Sequence, residues 1–82
     1  MTRDEIRDRI QVLLGEILDR DELSLTDDTK ADDIEDWDSI NHVKLIIAIE
    51  SEFNIRFEAD EVTAPENVGA LVDLVQSKLA EA

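Results

Sequence analysis

The sequence predicts an all-α fold, a small four-helix bundle of three longer helices and one short third helix, with a long loop between helices one and two. Three observations carry this. Three stretches repeat apolar residues at spacings of three and four, no stretch alternates apolar and polar residues long enough for a strand, and 82 residues leave room for one modest core. The chain, 1–82, reads as a single domain without repeats, low-complexity tracts or linkers.

The first helix is expected over Arg3 to Leu18, where Ile6, Ile10, Leu13, Leu14, Ile17 and Leu18 form one apolar stripe. Thr2 and Glu5 have the spacing of a capping box. Gly15 falls inside the pattern at a cost of roughly 1 kcal/mol relative to alanine. From Asp19 to Asp38 the chain is acidic and aperiodic, with Leu23, Leu25, Ile34 and Trp37 spaced through it. Those four residues favour an ordered loop pinned to the bundle over a disordered one.

The second helix is expected over Ser39 to Phe53, capped by Asp38. Glu58 to Val62 is expected to form one or two turns before Ala64 and Pro65 break the chain. Asn67 caps the last helix, whose stripe is Val68, Leu71, Val72, Val75 and Leu79.

Charge and composition narrow the function. Twenty-two acidic residues against eight basic ones give a formal charge of −14, which disfavours nucleic acid and anionic membranes as partners. Such a field either keeps a small protein soluble or steers in a basic protein partner. The absence of cysteine removes disulfides, thiolate metal sites and thiol nucleophiles. Met1-Thr2-Arg3-Asp4-Glu5 is too charged for a secretory signal, and the longest apolar run, Leu45 to Ile49, is too short to span a bilayer. The expectation is a cytoplasmic monomer with no membrane or metal site.

The second helix carries one stripe too many. Leu45, Ile46, Ile49 and Phe53 share a face with His42, while Ile40, Val43 and Ile47 point to a different side, bordered by Lys44, Glu50 and Ser51. Either the helix is buried nearly all round, or the second strip is an exposed binding surface. Ser39 stands at the first helical position, where orphan amides favour a phosphate; Asp-Ser at a helix start also serves as simple capping. His42 lies three residues from Ser39, but no third group orients it as a base, so it reads as a partly buried structural histidine. The acidic loop lacks the glycine and ligand spacing of an EF-hand, and Trp37 reads as an anchor of the loop.

Asp38-Ser39-Ile40 resembles the Asp-Ser-Leu signature of acyl and peptidyl carrier proteins. The continuation Leu45-Ile-Ile-Ala-Ile-Glu-Ser-Glu-Phe-Asn-Ile55 is similar to that family's hydrophobic helix, acidic pair, Phe, Asx and Ile. The resemblance covers the whole chain, including the long loop and the short third helix. It implies a carrier and not an enzyme. A phosphopantetheinyl transferase, using coenzyme A and magnesium, attaches 4′-phosphopantetheine covalently to Ser39, and the arm's thiol holds an acyl or aminoacyl thioester. Acyl-loading and acyl-processing enzymes are then the partners. Ile40, Val43 and Ile47 meet them, Asp38, Glu50 and Glu52 give charge complementarity, and the core shelters a short acyl chain.

Two departures stand out against the fatty-acid carriers. Glu35-Asp36-Trp37 replaces a glycine and a small residue before the serine, and Asn41 and Lys44 replace early acidic residues of the helix. Together they point to a specialised pathway with its own enzymes, Lys44 joining the partner surface. The competing reading is an unmodified acidic helical adaptor that binds a protein through Ile40, Val43 and Ile47.

Overall fold

Thr2 starts the first helix as its spacing to Glu5 requires. The Glu5 amide donates to the Thr2 hydroxyl at 3.2 Å and the Thr2 amide donates to the Glu5 carboxylate at 2.9 Å. In the computed structural model, which describes residues 1–81, this helix is α1, Arg3–Leu18. Two more follow, α2 over Ser39–Phe53 and α3 over Val68–Glu81, and no strand occurs among the described residues.

Among the described residues there are three α-helices and not four. The short third helix expected over Glu58 to Val62 is a single 3-10 turn, Ala59–Glu61, closed by the Glu61 amide on the Glu58 carbonyl at 3.0 Å. Five residues cannot meet the nucleation cost of an α-helix, and Pro65 turns Ala64 away from helical geometry. A second 3-10 turn, Ala31–Asp33, lies in the long loop.

Helix α1 packs against both α2 and α3. Ile6, Ile10 and Leu14 of α1, Leu45 and Ile49 of α2, and Val68, Leu71, Val72 and Val75 of α3 are 0–2% exposed, the centre of one core. Leu25 and Trp37 of the loop join that core, while Leu23 and Ile34 pack half-buried against it, so all four expected anchors hold the loop down.

Polar contacts fix the loop as well. Asp27 accepts from Arg3 at 2.9 Å and from Arg7 at 3.1 Å, and the Leu25 amide donates to the Gln11 side chain at 2.8 Å. The carbonyls of Thr29 and Asp27 accept from the Val68 and Gly69 amides at 2.8 and 2.9 Å. Loop backbone thereby satisfies the first amides of α3, and the Asn67 side chain accepts from Ala70 at 2.8 Å, as its N-cap position predicts.

Both glycines stand where backbone presses close. A Cβ on Gly15 would lie 2.8 Å from the Arg20 carbonyl oxygen, because the chain folds back past Asp19, whose φ of 56° ends α1. Gly69 faces Asp27 in the same way, with a Cβ falling 2.9 Å from that residue's own Cβ. The apparent cost of Gly15 to the helix is therefore the condition for the turn that follows it.

Candidate functional site

The start of α2 is built by Asp38. Its backbone is extended, its carboxylate accepts from the Asn41 amide at 2.8 Å, and its carbonyl accepts from the His42 amide at 2.8 Å. The Asn41 side chain donates back to the Asp36 carbonyl at 2.7 Å, which steadies the left-handed turn at Asp36, φ 72°. With Asp38 as the cap, Ser39 is the first residue inside the helix and is free of capping duty.

Ser39 is exposed, and among the described residues its hydroxyl has no protein hydrogen-bond partner. The Ser39 and Ile40 amides are likewise uncommitted at the positive end of α2. A phosphodiester on the Ser39 oxygen would meet these donors without displacing anything, so the residues present fit a phosphorylated group at this position.

The second apolar strip of α2 is open to solvent. Ile40 is 70% exposed, Val43 48% and Ile47 59%, while Leu45, Ile46, Ile49 and Phe53 of the other stripe are buried. Lys44 is exposed beside the strip and forms no ion pair among the described residues. The acidic residues further along are more occupied. Glu50 is half-buried and accepts from the Phe57 amide at 2.8 Å, and Glu52 pairs with Arg9 of α1 at 3.0 Å.

His42 is half-buried, as expected, but its two partners were not legible in the sequence. The Trp37 indole N–H donates to Nδ1 at 3.1 Å, with the rings 6.0 Å apart. An indole nitrogen only donates, so Nδ1 accepts, and the ring proton on Nε2 is assigned to the bond with the Val62 carbonyl at 2.7 Å. Both nitrogens are committed away from Ser39, so His42 is not placed to act as its base. Trp37 and His42 are five residues apart across a loop–helix junction, outside any helical or strand period.

Beside Ser39 lies an open groove of about 460 Å³, lined among others by Trp37, His42, Val43, Val62 and Pro65. Among the described residues no group of His, Cys, Asp and Glu is placed to hold a metal ion, and no helix is long and apolar enough to cross a membrane.

Residues 8–75 match the family model described as phosphopantetheine attachment site. The acyl carrier protein of Petrotoga mobilis is 34% identical over 79 residues, covering 96% of this chain and 93% of that protein. The acyl carrier protein of Guillardia theta is 31% identical over 80 residues, covering 98% and 99%. Among solved structures, the holo acyl carrier protein of Geobacter metallireducens superposes with a TM-score of 0.85 at 38% identity, over 93% of this chain and 87% of that one.

Proposed function

Because the chain belongs to the acyl carrier protein family, whose members are carriers and not enzymes and bear a covalent 4′-phosphopantetheine, we propose that Ser39 is the residue that carries the group here. The group supplies the thiol that holds the cargo in thioester linkage, in a chain that has no cysteine. One observation carries the assignment to Ser39. Asp38 takes the cap, and so leaves the Ser39 hydroxyl exposed, unbonded and beside free amides at the head of α2.

The rest of the reading concerns delivery. Ile40, Val43 and Ile47 form the apolar centre of the surface that meets the phosphopantetheinyl transferase and the acyl-loading and acyl-processing enzymes. The charge of −14 steers basic partners toward it. Asp38 contributes its charge at the edge, and Glu50 keeps one carboxylate oxygen free of its bond to Phe57. Lys44 sets a positive spot in this field and selects partners that differ from those of generic fatty-acid synthesis, placing the protein in a specialised acyl pathway of the cytoplasm.

Intact mass after incubation with coenzyme A, magnesium and a broad-specificity phosphopantetheinyl transferase tests the assignment. Wild type gains one phosphopantetheine and Ser39→Ala gains none. Equal gain by both, or no gain by wild type, removes Ser39 from this role and leaves the strip as the contact face of an unmodified adaptor.

A further inference from the structure

Asp36, three residues ahead of Ser39, has a φ of 72°, a left-handed shape that glycine adopts freely and other residues hold at a cost. Two turns meet there. The Trp37 amide donates to the Ile34 carbonyl at 3.3 Å, closing a turn in which Asp36 takes the third position, where a positive φ belongs. The Asp38 amide then donates to the Asp36 carbonyl at 2.9 Å, closing a tighter one. That same carbonyl accepts from the Asn41 side chain at 2.7 Å. A carbonyl oxygen only accepts, so the amide nitrogen of Asn41 is assigned to the side that faces it. The Asn41 backbone amide in turn donates to the Asp38 carboxylate at 2.8 Å. Asp36, Asp38 and Asn41 are thereby joined in a ring of three hydrogen bonds, and Ser39 lies on the stretch of chain that the ring encloses. From the end of α1, Arg20 reaches the Asp36 carboxylate at 3.4 Å, an exposed pair that holds it only weakly.

We propose that Asn41 is a positioning residue for loading, which holds the Asp36 carbonyl, keeps the left-handed turn closed and so presents the Ser39 hydroxyl to the transferase. The proposal rests on Ser39 being the attachment residue. Asn41 acts through Asp36 and Asp38, since its side chain bonds to the Asp36 carbonyl and not to the serine. Without that bond, the left-handed shape of Asp36 is held by the two backbone turns and the exposed pair with Arg20. The turn then samples other shapes, and the capping carboxylate of Asp38 moves with it. Ile40, Val43 and Ile47 stand on the helix itself and keep their places. A transferase therefore docks as before but meets a serine in productive geometry for less of the time, so the rate of transfer falls and docking does not. Helix electrostatics points the other way at this position. Asn41 is the third residue of α2, where an acidic side chain favours the positive end of the helix. Asn41→Asp thus supports the helix while it removes the donor and sets a carboxylate oxygen against the carbonyl. Stability and presentation are separated in one variant.

Asn41→Asp and Asn41→Ala, each alone and combined with Asp36→Gly, test this with coenzyme A, magnesium and a broad-specificity transferase. Loading is read by intact mass in single turnover and at steady state, beside melting curves and backbone amide NMR. No mass gain in wild type, or a gain in Ser39→Ala, overturns the attachment reading and this proposal with it. Where Ser39 is loaded, both Asn41 variants should lose about tenfold in single-turnover rate, with KM for the carrier changed by less than about twofold. Asn41→Asp should melt no lower than wild type, and the Trp37 and Asp38 amides should shift and gain mobility in both variants. Glycine holds a left-handed turn without help, so adding Asp36→Gly should bring either variant back to within about threefold of the wild-type rate. A loss confined to Asn41→Asp is an effect of charge and overturns the proposal. Unchanged rates in both variants, a loss that follows the melting temperature, or no rescue by Asp36→Gly overturn it as well.

Discussion

The amide of Gly69 donates to the carbonyl of Asp27 at 2.9 Å, and the two backbones lie so close that a Cβ at position 69 would stand 3.0 Å from that same oxygen. Gly69→Ala therefore sets helix propensity against contact. Alanine gains up to about 1 kcal/mol inside a helix, while overpacking against backbone costs about 1–3 kcal/mol. The expected outcome is a lower urea midpoint with an unchanged m-value. A midpoint at or above wild type would mean that the loop yields freely.

Asp27 also gives the protein a defined acid limb. The Arg3 and Arg7 guanidiniums, hydrogen-bonded to its carboxylate, hold its pKa below the ordinary value. A lowered native pKa contributes stability in full above the unfolded value of about 3.9, and that contribution disappears as pH falls through the native value. Asp27→Asn should thus be less stable than wild type near neutrality, and the gap should close as the pH drops below about 4. Relief of the acidic net charge affects both proteins alike, so the difference between the two urea midpoints isolates Asp27. A gap independent of pH would assign the loss to the shape of the loop instead.

Ile47, 59% exposed on α2, allows folding to be tested apart from the proposed recognition role. Ile47→Asp should change stability by no more than about 0.5 kcal/mol. It should lower kcat/KM for loading by the transferase about tenfold or more, equivalent to about 1.4 kcal/mol of contact. A loss of stability that matches the loss of loading would place Ile47 in the fold and not at the interface.

Lys44 is expected to decide which enzymes accept the carrier. Lys44→Glu should raise the rate of loading by generic fatty-acid synthesis enzymes, with a steeper fall at high salt as basic partners gain a charge to attract. An unchanged rate would show that Lys44 is bystander charge.

The helices were legible because their signals are local. Thr2, Asp38 and Asn67 mark the starts, and the stripes need only a period. Trp37 was legible as an anchor from its isolation in a polar stretch, and the residues that follow Ser39 are what single it out as the proposed site. The turn at Ala59–Glu61 was over-read as a helix because five residues, three of them acidic, carry too little pattern to separate the two. What could not be read joins residues by shape alone. Trp37 meets His42, Arg20 covers Gly15, and Glu50 turns back to Phe57, each through a bend in the chain that no periodicity records. The internal partners of Glu50 and Glu52, the Phe57 amide and Arg9, belong to the same class.

Helix α2 turns Leu45 and Ile49 toward α1 and α3 and leaves Ile40, Val43, Lys44 and Ile47 answering to nothing inside the protein. Under the proposed reading, mutations on that outer side meet little folding constraint and are filtered chiefly by partner enzymes. Carriers with one shared interior can diverge there until each is ignored by the others' enzymes, and several assembly lines can then run in one cell without crosstalk.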